Sequence, residues 1–139
     1  MTKEEIIDLI KDSGFGFLAT TEKNQPRVRP MMPYLDEDGT LLLALLANSR
    51  TIKQVQENPL LEICYVDRKM WLCRVSGKGK VTNTLEKKEL VWSNIPMLRQ
   101  YFSGPEDPNY ILMEITPESV EAMTPTMRAP EKIKSISLT

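Results

Sequence analysis

FGFLATTEKNQPRVRPMMPY, residues 15 to 34, carries the signal from which the fold class can be read. Phe15 to Thr21 is an apolar, aromatic and β-branched run, Glu22 to Pro26 is turn material, and Arg27 to Tyr34 can form the returning strand. The segment therefore reads as a hairpin. Pro26, Pro30 and Pro33 have no N–H to give to a ladder, which places the second strand at an edge, a bulge or an interruption.

Upstream, Thr2 followed by Glu5 has the form of a capping box, and Ile6, Leu9 and Ile10 recur at helical spacing as far as Gly14. Downstream, Asp36 to Gly39 is a turn, and Leu41 to Ala47 is so continuously apolar that it is expected at the middle of a sheet with both faces covered. Thr51 to Glu57 carries Ile52, Val55 and Gln56 at helical spacing and is stopped by Asn58-Pro59. Leu60 to Val66 and Trp71 to Val81 form a further hairpin through Asp67 to Met70, with Gly77 and Gly79 marking a bulge or a close approach. Leu85 to Phe102 reads as helix broken at Pro96, Ser103 to Asn109 as a loop, and Tyr110 to Ile115 as a last strand. Six strands in hairpin order, with short helices and no βαβ rhythm, give an α+β or mainly β class, a small antiparallel barrel flanked by helices. One domain is expected over residues 1–126, followed by a polar tail of uncertain order at 127–139.

The composition narrows the function. The 139 residues are 41% hydrophobic and 27% charged, which suits one folded domain, and the net charge of −1 supplies no field for nucleic acid or an anionic membrane. No signal peptide or membrane-spanning run is visible, so a cytoplasmic protein is expected. There is no histidine, which removes the usual imidazole acid/base and the commonest metal ligand. Cys64 and Cys73 fit no zinc pattern, so no metal site is expected. If Val66 pairs with Trp71, the two cysteines oppose each other across a ladder, as reduced thiols that stress could oxidise.

Two stretches concentrate cations and hydroxyls: Arg27 to Met32, and Asn48 to Lys53 at the start of the inserted helix. Arginine grips phosphate oxygens in pairs, lysine adds a compact charge, threonine adds a hydroxyl, and a helix N-terminus offers free N–H groups. Arg27 and Arg29 share one strand face while Val28 takes the other. On spacing alone the plainer reading, a solvated strand face and an ordinary helix cap, is favoured.

The order of the motifs changes that judgement. Gly16-Phe-Leu-Ala-Thr-Thr, Gln25-Pro-Arg-Val-Arg-Pro-Met, Asp38-Gly-Thr-Leu-Leu-Leu, Ser49-Arg-Thr-Ile-Lys-Gln-Val-Gln-Glu-Asn-Pro, Ile63-Cys-Tyr-Val-Asp and Val75-Ser-Gly-Lys-Gly-Lys-Val follow one another in the chain. So arranged, they resemble the pyridoxamine 5′-phosphate oxidase-related FMN-binding family, especially its short general-stress-protein branch, over about residues 5 to 122. The resemblance implies a split β-barrel that binds FMN between the subunits of a homodimer. It implicates Arg29, Thr51 and Lys53 in holding the phosphate, with Arg27 and Arg50 as weaker candidates. Pro30, Met31 and Met32, with Ala47 and Asn48, would line the ribityl chain and the ring, and the partner's Trp92 is a candidate to complete the site. Oxidoreductase chemistry would then be the flavin's, passing hydride or electrons between a reduced nicotinamide or other donor and a small molecule that the sequence does not specify. No catalytic residue is assigned. The chain lacks the C-terminal Arg-x-His segment that the authentic oxidases use, so the resemblance does not extend to vitamin B6 oxidation. A flavin-binding stress protein without turnover, or a holder of F420 or haem, are the alternatives that it leaves open.

Overall fold

A computed structural model describes residues 1–137. The first helix, α1 (Lys3–Ser13), begins at a capping box in which Thr2 Oγ1 accepts from the Glu5 N–H at 3.1 Å and Glu5 Oε2 accepts from the Thr2 N–H at 2.8 Å. Its buried face consists of Ile6, Ile7, Leu9 and Ile10. β1 (Gly16–Glu22) and β2 (Gln25–Met31) are joined by Lys23 and Asn24 at φ 48° and 66°. Two successive positive φ angles give a turn whose twist matches that of the strands it joins. The sheet order is β2-β1-β5-β6-β7-β4-β3, so the proline-bearing β2 is an edge strand, as expected.

The remaining elements are β3 (Tyr34–Leu35), β4 (Leu41–Leu46), α2 (Arg50–Glu57), β5 (Leu60–Val66), β6 (Leu72–Thr82), α3 (Leu85–Asn94), a 3₁₀ turn (Pro96–Gln100), β7 (Tyr110–Met123) and β8 (Glu131–Ile133). All pairings are antiparallel. Among the described residues the sheet has eight strands rather than the six expected. The two extra strands are the very short β3 and, beyond residue 126, β8, which pairs with Val120 to Ala122 of β7. Ile136 is also buried, while residues 138 and 139 of the expected tail lie outside the described residues.

The sheet is strongly curled. Leu18 of β1 and Leu43 of β4 are separated in the sheet order by β5, β6 and β7, yet both belong to one buried cluster with Ile63, Val75, Met113 and Ile115. A flat sheet could not bring those side chains together, and this interior is that of a split barrel. A second, outer cluster joins Leu42, Tyr110 and Leu112 to Val91, Ile95, Leu98 and Phe102 of α3 and the segment after it.

Three expectations change. β4 is not central: it lies next to the short β3, and its continuous apolar run is explained instead by helix cover on its outer face. β7 runs on to Met123 because a bulge opposite Gly77 carries it past Pro117, with Ser76 paired to Ser119 and Gly77 to Pro117. Only glycine fits there, since a Cβ at Gly77 would stand 2.1 Å from the Thr116 carbonyl oxygen. The turn between β5 and β6 is also one residue longer than expected. Met70 takes φ 63° and is exposed, the Asp67 N–H reaches the Trp71 carbonyl at 3.0 Å, and Val66 pairs with Leu72.

That slip puts the cysteines on opposite faces: Cys64 opposes Arg74, and Cys73 opposes Tyr65 inside the barrel. Both are free thiols, and burial pushes Cys73 up to about 12. The expected side-by-side pair, with the redox role it suggested, is thereby overturned.

Tyr65 is 1% exposed, and its hydroxyl has no hydrogen-bond partner among the described residues. A buried, unpaired hydroxyl costs roughly 1–3 kcal/mol. Tyr65→Phe is therefore expected to leave stability unchanged or to raise it by as much as that, as measured by urea unfolding. A loss of more than about 1 kcal/mol would show that the hydroxyl is satisfied after all.

Candidate functional site

The site begins with the register of β1 against β2. Leu18 faces Arg29 and Thr20 faces Arg27, so both arginines share the inner face of the hairpin, while Val28, 69% exposed, points outward. Arg29 is half-buried and held at two points: Nη1 donates to the Leu18 carbonyl at 3.1 Å and Nη2 to Gln54 Oε1 at 2.8 Å. Burial, then the neighbouring charges of Arg50 and Arg27, lower its pKa, and a guanidinium remains cationic through such shifts.

Arg27 and Arg50 both turn toward Glu22, at 3.4 Å and 3.3 Å. Hydrogen bonds from Gln54 and Arg50 hold the Glu22 carboxyl below its usual range. Two guanidinium groups thus share one carboxylate, and the third, Arg29, has no acidic partner among the described residues. The surplus positive charge has a use if an anion binds here.

α2 is seated by small-residue packing and by its cap. Ser49 Oγ accepts from the Thr51 N–H at 3.1 Å, and the Gly79 N–H donates to the Pro59 carbonyl at 2.9 Å just beyond the end of the helix. A Cβ at Gly79 would stand 2.7 Å from Val55 Cγ1 of α2 and 2.9 Å from Leu61 Cδ2. The helix can rest this low on the barrel because β6 has no side chain at that point. The burial of Thr51, Ile52, Gln54 and Val55 follows.

Beside the cationic cluster lies a cleft of about 330 Å³. Pro30, Met31 and Met32 line it from the end of β2, Leu46 and Ser49 from the end of β4 and the start of α2, and Met97, Leu98 and Tyr101 from the segment after α3. The lining contains no carboxylate, lysine, arginine or cysteine. Ser49 both caps α2 and lines the cleft, so the charged cluster and the apolar space are contiguous.

The residues expected from the sequence divide accordingly. Arg27, Arg29 and Arg50 meet around Glu22 and Gln54, and Pro30, Met31 and Met32 line the cleft. Thr51 is buried beneath α2, whereas Lys53 is exposed on the opposite side and makes no ion pair among the described residues. Ala47 and Asn48 are exposed between Leu46 and Ser49, and the Ala47 N–H is already bound to the Asn109 carbonyl at 2.9 Å. Trp92 packs within this chain, 6.5 Å from the Tyr110 ring and beneath Arg99. Sequence reasoning missed Glu22, Gln54 and the cleft lining after α3. A signal was available for Gln54, which lies on the buried side of α2 with Ile52 and Val55, whereas Gln56 is exposed.

Residues 1–128 match the family described as pyridoxamine 5′-phosphate oxidase like. The chain belongs to that family. General stress protein 26 of Bacillus subtilis (strain 168) is 26% identical over 143 residues, covering 95% of each chain. The crystal structure of General Stress Protein 26 from Bacillus anthracis superposes with a TM-score of 0.82 at 26% identity, covering 94% of this chain and 96% of that one. Two more distant members of the comparison share the fold alone. An FMN-binding protein from Nostoc punctiforme, 15% identical with 93% and 86% covered, has a TM-score of 0.71. A haem-binding protein from Mycobacterium smegmatis, 13% identical with 99% and 60% covered, has a TM-score of 0.78. The antiparallel split barrel with flanking helices is thus the family's architecture.

The seat of α2 can be tested directly. Gly79→Val is expected to lift the helix, lower the unfolding free energy by about 1–3 kcal/mol or more, and loosen the Arg29 to Gln54 contact. An unchanged melting curve would show that the helix does not depend on this close approach.

Proposed function

We propose that the protein binds FMN and acts as a flavin-dependent oxidoreductase, passing hydride or electrons between a reduced nicotinamide or other donor and a small molecule. One observation carries the reading: Arg29, fixed at two points and with no carboxylate partner among the described residues, immediately precedes Pro30 and Met31 of the apolar cleft, which Ser49, the cap of α2, also lines. FMN has the matching form, with a dianionic phosphate at one end and a flat, largely apolar ring at the other. The phosphate would be held by Arg29 with help from Arg27, Arg50 and the N-terminus of α2, and the ring would lie against Pro30, Met31 and Met32. When bound, the flavin supplies the redox chemistry.

The chain's own part is to bind, orient and exclude water. Among the described residues, the only hydroxyls in the cleft lining belong to Ser49 and Tyr101. Two free thiols agree with a role in the reducing cytoplasm.

The preference for phosphate provides the test. FMN is expected to bind about ten- to a hundredfold more tightly than riboflavin, and Arg29→Ala to abolish most of that difference, as read by quenching of flavin fluorescence. Equal affinities would overturn the reading, and so would a haem spectrum from protein purified from its native host.

The reading includes a homodimer with flavin at its interface. Phe17, Val28 and Pro30 form an exposed apolar outer face on β1 and β2, with Phe17 directly opposite Pro30 and Ala19 opposite Val28. A second copy would remove this face from water. Light scattering should give about twice the 15.9 kDa chain mass. A monomer that holds FMN just as tightly would show that one chain makes the whole site.

A further inference from the structure

Gln54 is 3% exposed, and both its amide oxygen and its amide nitrogen are hydrogen-bonded. Oε1 accepts from Arg29 Nη2 at 2.8 Å and from Thr20 Oγ1 at 2.6 Å, while Nε2 donates to Glu22 Oε2 at 2.9 Å. The orientation of the amide is dictated by chemistry. A guanidinium offers only donors and a carboxylate only acceptors, so a flipped amide would set donor against donor at Arg29 and acceptor against acceptor at Glu22.

What matters is that this acceptor is neutral. A glutamate at position 54 could also accept from Arg29, but it would neutralise the cation and repel Glu22. An aliphatic side chain would release one of the two anchors of Arg29, leave the Thr20 hydroxyl without its partner and take one hydrogen bond from Glu22, which would keep only Arg27 and Arg50. Glutamine anchors the guanidinium without cancelling its charge. It also helps hold the Glu22 carboxylate toward Arg27 and Arg50 rather than toward Arg29.

We infer that Gln54 is a positioning residue for the anion site: it aims Arg29, keeps its charge available, and so sets the preference for a phosphorylated over an unphosphorylated flavin. The inference rests on the proposed binding of the FMN phosphate at Arg29. It assigns no catalytic step to Gln54.

The experiment measures the dissociation constants of FMN and riboflavin for the full chain and for Gln54→Glu, Gln54→Met, Arg29→Ala and the two double variants, with thermal melting alongside. Gln54→Glu is expected to weaken FMN about tenfold or more, with riboflavin changed by less than about twofold. Gln54→Met, which keeps the side-chain volume, is expected to act in the same direction but less strongly. In the Arg29→Ala background neither substitution should change FMN affinity further, because the residue through which Gln54 acts is gone. Equal losses for FMN and riboflavin would overturn the inference by reducing Gln54 to a packing role, and so would an unaltered FMN constant in both single variants. If Arg29→Ala itself leaves the ratio of FMN to riboflavin unchanged, the phosphate site is wrong and the inference falls with it. That result is distinct from one in which Arg29 matters and Gln54 does not.

Discussion

The pairing of Leu18 with Arg29 across the edge hairpin is the constraint on which the site depends. Side chains alternate faces along a strand, so a slip of one residue would carry both arginines to the outer face and turn Val28 inward. The turn at Lys23 and Asn24 prevents the slip by closing the hairpin with only two residues. With the register set, the Leu18 carbonyl lies within reach of Arg29, and the guanidinium is directed toward α2 rather than into solvent.

The helix can meet it only because the barrel yields at a glycine. α2 is eight residues long, too short to be stable in water alone, and its buried Ile52 and Val55 must find a surface close by. Gly79 provides that surface by leaving room for Val55. Gly77 serves a different purpose nearby, where the bulge lets β7 pass Pro117 and continue pairing to Met123. One glycine lowers a helix onto the sheet, and the other keeps a long strand in register despite a proline.

Charge and apolar surface divide the remaining work. The cluster of Arg27, Arg29 and Arg50 exceeds its single carboxylate, and the adjoining cleft has no ionisable side chain other than Tyr101. Such a site is suited to holding a group with one anionic end and one flat apolar end. It has little to offer in proton transfer, which agrees with a chain that contains no histidine and in which the chemistry would come from a bound cofactor.

Much of this was legible in the chain. The capping box at Thr2 and Glu5, the edge strand marked by its prolines, the break at Pro96 and the shared face of Arg27 and Arg29 all follow from local rules, because caps, prolines and strand alternation act within a few residues. The order of the motifs carried the family. Other features depend on partners distant in sequence, and only the tertiary structure decided them. β4 is apolar on both faces because a helix layer covers it, which composition cannot distinguish from a central strand. β8 exists because β7 has a free edge to receive it. Cys64 and Cys73 parted because one left-handed residue, Met70, lengthened a turn, and methionine carries no signal for that conformation. Gln54 could be placed on the buried side of α2, but its partner Arg29, twenty-five positions earlier, meets it only once the chain is folded. The sequence by itself determined which elements form and which charges are present. The meeting of those charges was decided by the curl of the sheet and the seat of α2, because burial and hydrogen bonding between distant segments exist only once the chain has closed on itself.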